Sequence, residues 1–171
     1  RGIVFSIFCI AMKIKRKENK AIDRIKNEAK WLKILNRYGI GPRIYFSLGN
    51  VLFYKFVKGE RILDYFKHIS KKEKLRVVNE VFCQCRVLDK LKVDKFEMHH
   101  PVKHIIIKGK VVMIDFERCK KSEKPKNVTQ FAQFLPRLGF KIDKKELLVV
   151  LKEYKRDYSE KSFGEILRLI R

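Results

Sequence analysis

Ile105-Ile106-Ile107-Lys108-Gly109-Lys110-Val111-Val112-Met113-Ile114-Asp115-Phe116-Glu117 sets two short apolar runs around a Lys-Gly-Lys turn and ends on an acidic pair flanking a phenylalanine. Such runs on either side of a glycine turn read as a hairpin, Ile105 to Ile107 and Val111 to Ile114. Asp115 then projects from the end of a buried strand. A carboxylate there offers a hard oxygen to Mg²⁺ in a cleft. Aspartate is also a common residue for opening a turn after a strand.

The hairpin stands alone among helical patterns. Upstream, Ile62 to Ile69 and Lys71 to about Lys90 read as helices, the second with Leu75, Val78, Phe82, Cys85 and Leu88 at helical spacing. Lys92 to Lys103 is irregular. Downstream, Asn127 to Leu138, Lys144 to about Asp157 and Phe163 to Ile170 read as helices. The first third of the chain differs. Ile3 to Ile7, Cys9 to Ile14, Arg43 to Ser47 and Val51 to Val57 read as strands, the last two joined at Leu48-Gly49-Asn50. A helix from about Glu18 to Arg37 is inserted among them and stopped by Gly39-Ile40-Gly41-Pro42. There is no βαβ alternation, which disfavours a doubly wound parallel sheet. The expected fold is α+β, a small antiparallel sheet with one helix followed by a mostly helical half. A break at Lys58-Gly59 places a ligand cleft beside it.

Lys13 lies in the otherwise apolar strand Ile10-Ala11-Met12-Lys13-Ile14. It either snorkels outward from an edge or is held inside by an anion. On the following helix Ala21, Ile25, Leu32 and Leu35 share one face, and Glu28 falls on that face too. A carboxylate in an apolar stripe is costly unless paired. Lys13 is its natural partner, one element upstream.

The chain has 171 residues and a net charge of +23. That balance suits acidic partners such as nucleotides, RNA or ribonucleoprotein. A Lys/Glu/Ile-rich hyperthermophile composition accounts for it equally well. Tyr45, Phe46, Phe53 and Tyr54 interleave with lysines as base-stacking residues do, although their alternation within strands favours core packing. No window reaches the ~20 apolar residues of a membrane span. The apolar start, Gly2 to Met12, reads as strands rather than a signal peptide. Cys9, Cys83, Cys85 and Cys119 form no CxxC pair and read as mostly buried thiols of a reducing cytoplasm.

Together these segments resemble the protein-kinase-like superfamily, in kinase order. Ala11-Met12-Lys13 looks like its V-A-I-K strand and Asp115-Phe116-Glu117 like D-F-G with the glycine replaced. Leu52 to Gly59 looks like the hinge. Arg1-Gly2-Ile3-Val4-Phe5 looks like the end of the glycine-rich loop. The similarity is to small archaeal serine/threonine-kinase-like proteins, RIO kinases and lipopolysaccharide Kdo/heptose kinases. It implies a two-lobed single domain, N-lobe 1–57 and reduced helical C-lobe 58–171, that binds ATP and Mg²⁺. It implies transfer of the γ-phosphoryl to a protein or small-molecule hydroxyl. Gly2, Val4 and Ala11 would then border the nucleotide. Lys13 would contact its phosphates, fixed by Glu28. Tyr54 would be the gatekeeper, the backbone of Lys55 and Val57 would read adenine, and Asp115 would hold Mg²⁺.

The loop before the hairpin departs from the kinase pattern. It reads Lys95-Phe96-Glu97-Met98-His99-His100-Pro101-Val102-Lys103-His104. Counting back from Ile105 puts His104 at the metal-binding asparagine place and His99 at the aspartate place. Alternatively Phe96-Glu97-Met98 stands for G-D-L. Glu97 is then the base, which suits a carboxylate better than an imidazole beside Mg²⁺. Asp94 is a third choice. Lys103 would face the γ-phosphate. A nucleotide-binding pseudokinase stays open, as does a transition-metal site using His99, His100 and His104. The basic run from Arg118 to Lys126 stands where an activation segment would be and reads as a solvated loop.

Overall fold

The structure, a computed structural model, describes residues 3–14 and 24–170. Its elements in chain order are β1 (Ile3–Ile7), β2 (Ile10–Ile14), α1 (Arg24–Leu35), β3 (Ile44–Leu48), β4 (Val51–Lys55) and β5 (Glu60–Arg61). They continue with α2 (Ile62–Tyr65), α3 (Lys71–Lys90), β6 (Val93–Asp94), β7 (Ile105–Lys108), β8 (Lys110–Met113) and β9 (Lys120–Lys121). The chain closes with α4 (Asn127–Ala132), α5 (Lys144–Asp157) and α6 (Glu160–Leu169). This is a mixed α/β chain with small antiparallel sheets. It divides into two units, Arg1–Ile62 with Lys103–Cys119, and Leu63–Val102 with Lys120–Arg171.

In the first unit the order β1-β2-β4-β3 builds a four-stranded antiparallel sheet. Because side chains alternate along a strand, its register sorts residues onto two faces. Val4, Lys13, Leu52 and Ser47 lie in one row on one face; Phe5, Met12, Phe53 and Phe46 form a row on the other. The Lys13 face looks toward α1, which packs on β3 and β4 and buries Ile25, Ala29, Leu32 and Leu35. α1 runs into a single 3₁₀ turn, Asn36–Tyr38, closed by Gly39 at φ +70°. Gly41 follows at φ +81°, where a Cβ would lie 2.7 Å from Leu32 and 3.0 Å from the Phe116 ring. Only glycine lets the chain turn there so close to the core.

The expected hairpin is present as β7 and β8, paired Ile105↔Met113 and Ile107↔Val111, with β5 added at the β7 edge. Gly59 permits this approach, since a Cβ there would fall 2.4 Å from the Ile107 carbonyl oxygen. The pairing joins the hairpin to the first unit, although the sequence places it among helices.

The second unit is helical. α3 is capped by Ser70, whose hydroxyl accepts from Glu73 N–H at 3.2 Å. Asp143 and Ser159 cap α5 and α6 in the same way. The Ser159 cap starts α6 at Glu160, earlier than the apolar pattern alone suggests. α2 is shorter than expected, because the hydrogen bonds after Tyr65 are i→i−3 turns. The expected helix from Asn127 to Leu138 is split. α4 ends at Ala132, and a 3₁₀ turn, Leu135–Leu138, begins around Pro136, which has no N–H for a continuing helix. Two cysteines depart from their expected burial: Cys9 and Cys83 are exposed, Cys85 and Cys119 buried. No helix among the described residues is long and apolar enough to cross a membrane.

One buried polar network orders this unit. Asp89 of α3 accepts from Asn127 N–H at 3.1 Å, Asn127 Nδ2 at 2.7 Å, Val128 N–H at 3.3 Å and the Tyr154 hydroxyl at 2.8 Å. It thus supplies acceptors to the first N–H groups of α4 from another helix. Burial pushes its carboxyl up, and the hydrogen bonds from Asn127 and Tyr154 pull it back. Asp89→Ala strands those donors and should cost about 3 kcal/mol in urea unfolding. A loss under ~0.5 kcal/mol, the size of an ordinary surface substitution, would mean the network does not organise the unit.

Candidate functional site

Lys13 is 6% exposed and Glu28 3%. The Lys13 ammonium donates to Glu28 Oε2 at 2.6 Å. The strand alternation turns Lys13 inward, and the α1 stripe turns Glu28 to meet it. The other Glu28 oxygen, Oε1, accepts from the Phe116 backbone N–H at 3.1 Å. One buried carboxylate therefore fixes both the lysine and the turn carrying Asp115. Asp115 has φ +64°, a left-handed conformation that aspartate tolerates better than most residues. Its Oδ1 lies 3.3 Å from Lys13 Nζ and its side chain is about one-third exposed.

Glu117 joins the cluster. Its Oε2 is 3.0 Å from Lys13 Nζ, and Arg24 approaches Oε1 at 3.5 Å. Three carboxylates thus share one ammonium. Burial pulls the Lys13 pKa down, but Glu28, Asp115 and Glu117 together hold it above the usual lysine range. Among the described residues, Glu28, Asp115 and Glu117 are the one group of three metal-ligating side chains with donor atoms within 4.8 Å of one another. Hard oxygens in this number fit Mg²⁺ or another hard divalent ion.

These groups open onto a pocket of about 260 Å³ within the first unit, whose lining includes Val4, Tyr54, Val57 and Ile114. Burial raises the Tyr54 hydroxyl to about 12, so it stays neutral. The pocket has an apolar wall and one charged end.

Of the residues singled out from sequence, Val4, Lys13, Glu28, Tyr54, Val57 and Asp115 line this pocket. Ala11 is fully buried beside them on β2. The Lys55 N–H is taken by the Arg43 carbonyl at 2.8 Å, and its side chain is exposed. His104 Nδ1 stands 3.7 Å from Asp115 Oδ2. Lys103 is exposed in the first unit. Glu97 and His99 belong to the second unit: Glu97 is half-buried at φ +60°, next to Phe96 at +61°, and His99 is exposed. Asp94 is buried there and accepts from Phe96 N–H at 3.1 Å. Gly2 lies outside the described residues. Part of the basic run pairs as a short strand, β9 with β6.

Sequence reasoning did not single out Glu117, Asn27 or Trp31. Asn27 Nδ2 donates to the carbonyls of Glu117 and Cys119 at 3.0 and 2.8 Å, and Trp31 Nε1 to that of Cys119 at 2.9 Å. Both lie on α1 beside Glu28, at i−1 and i+3, and pin the segment after Asp115. The available signal was position: the only tryptophan one turn from a buried glutamate.

No protein-family model matches the chain, and no curated protein matches it.

Lys13→Met leaves three carboxylates without their shared cation. At pH 7 it should cost about 3 kcal/mol of unfolding free energy. In the parent, the raised lysine pKa means its contribution is complete through the neutral range and lost only as pH rises through that raised value. In the variant the Glu28 carboxyl, already pushed up by burial, loses the ammonium that pulls it back and favours protonation. The deficit should therefore shrink when the measurement is repeated at pH 4; a constant deficit would show the loss to be packing alone.

Proposed function

We propose that the chain is an ATP-dependent phosphotransferase of the two-lobed kinase-like fold, acting on a hydroxyl substrate. In this reading the four-stranded sheet with α1 is the N-lobe sheet and helix, and the helical unit is the reduced C-lobe. The observation that carries the proposal is the buried Lys13–Glu28 pair, set with Asp115 at the charged end of a pocket walled by Tyr54 and Val57. A fixed ammonium opposite a carboxylate binds a polyphosphate with its divalent ion, and the apolar wall accepts a planar base.

Lys13 neutralises phosphate oxygens, and Glu28 stops it from following them outward. Asp115 and Glu117 would supply oxygens to hold Mg²⁺, which would offset negative charge developing on the phosphates. The substrate hydroxyl oxygen forms a bond to the γ-phosphorus as the bond to the β,γ-bridging oxygen breaks. Its proton passes to a carboxylate base, and ADP leaves. Catalysis is positioning and charge neutralisation.

A nucleotide-binding pseudokinase is the second reading. It is favoured by the loop, which lacks an aspartate at the base place and holds Glu97 and its neighbour at left-handed φ.

Calorimetric titration with Mg·ATP tests the common core. Lys13→Ala and Asp115→Ala, each checked for folding by circular dichroism, should weaken binding at least ~10-fold, about 1.4 kcal/mol. Absence of Mg·ATP binding by the parent chain would overturn both readings. Phosphoryl transfer to added protein then separates them: loss of ~100-fold or more in Glu97→Gln favours the enzyme, and no transfer by the parent favours the pseudokinase.

A further inference from the structure

The sheet face opposite Lys13 carries apolar side chains in register across four strands. Phe5, Met12, Phe53 and Phe46 form one row; Ile3, Ile14, Val51 and Leu48 form the next. Phe46 and Phe53 stack with ring centroids 4.5 Å apart. In the remaining row Ile10 opposes Lys55, the one ionisable residue in these rows. A polar outer face is the usual arrangement for a half-buried antiparallel sheet. Here Leu48 is 74% exposed, and Phe5, Ile10, Tyr45 and Phe46 are between 43% and 54% exposed. At the β1–β2 turn Phe8 is 97% exposed.

We infer that this face is the self-association surface of the protein, closed by the same face of a second copy. Area is the first argument. Taking roughly 200 Å² for a fully exposed large side chain, the exposed part of these six residues is about 700 Å². That approaches the ~800 Å² each partner contributes to a standard interface. Charge is the second. A bilayer with anionic headgroups, or an RNA, needs cations among or around the apolar groups. Among the described residues the rows offer only Lys55, with exposed Arg43 beside it at the end of its row, and the turns Phe8-Cys9 and Gly49-Asn50 carry no charge. A face so poor in charge is complementary to itself. Shape is the third: pleated sheets pack face to face about 10 Å apart by interdigitating rows, and a two-fold contact closes on itself without exposing a further copy of the face.

The net charge of +23 opposes association of two copies, and that repulsion is long-ranged and screened by salt. The apolar contact is not weakened by salt. Self-association through this face should therefore tighten as NaCl rises, whereas RNA or anionic vesicles should be released.

Sedimentation equilibrium of the full chain between about 50 mM and 1 M NaCl tests this, spanning Debye lengths from more than 10 Å to ~3 Å. Expected is a monomer–dimer equilibrium whose Kd falls with salt and rises at least ~10-fold in both Phe46→Asp and Leu48→Asp. Both side chains are exposed, so the variants should keep the parent's circular dichroism. Leu148→Asp, exposed on α5 in the other unit, should dimerise like the parent. Overturning results are a monomer at every salt and concentration, a dimer indifferent to both face variants, or a monomer whose binding to phosphatidylglycerol vesicles or single-stranded RNA is abolished by Phe46→Asp.

Discussion

A lysine on the inner face of a sheet has to be paired, and from that need much of the first unit's arrangement follows. Removing an ammonium from water costs several kcal/mol after relaxation, and Lys13 recovers this only through a carboxylate at hydrogen-bond distance. Glu28 is that carboxylate, at 2.6 Å. Its position demands that α1 present one polar residue within an otherwise apolar stripe, at the height of Lys13. The pair fixes the register of α1 on the sheet more than it adds stability, because a well-packed apolar pair would often do as well. Its second oxygen carries the constraint onward to Phe116 N–H. The turn that exposes Asp115 is thus tied to the same atom group that holds Lys13.

The cluster is unbalanced as it stands. Glu28, Asp115 and Glu117 bring three negative charges to one ammonium, with Arg24 reaching Glu117 only at 3.5 Å from a more exposed position. Like charges within 4.8 Å of one another favour an added cation. An anion alone would be repelled by the same oxygens. In the proposed reading, a polyphosphate arriving with its divalent ion would meet both demands, the ion at the carboxylates and the phosphates at the lysine. Sites that keep such local conflict are where function is expected, since a fold selected for stability alone has no reason to gather them.

Much of this was legible in the residues. Period-two alternation located the strands, and the stripe on α1 placed Glu28 opposite Lys13. Asp115 at the end of Val111 to Ile114 marked the third group. Other parts were not legible, for identifiable reasons. In sequence Glu117 only replaces a glycine, because a linear pattern does not show that a side chain two residues beyond Asp115 folds back to Lys13. Asn27 and Trp31 act on backbone carbonyls, which leave no trace in sequence. The apolar spacing continues across Pro136 and hides the helix break there. Tyr45 and Phe46 were expected in the core. Alternation reports which side chains share a face, but not whether anything covers that face.

That last distinction gives β2 its double character. Met12 and Lys13 are neighbours, yet one belongs to an apolar row open at the surface and the other to a buried ion pair. A strand with demanding residues on both sides cannot slip by one position without burying Met12 beside Glu28 and exposing Lys13. Its register is therefore specified twice. The same division separates the chemistry of the two faces. Charge sits on the α1 side, where a polyphosphate with its ion could be bound, and is nearly absent from the other. With the net charge of +23 keeping molecules apart by default, a face of limited area and little charge favours association through itself. A closed two-fold pair satisfies it and leaves no apolar surface to propagate.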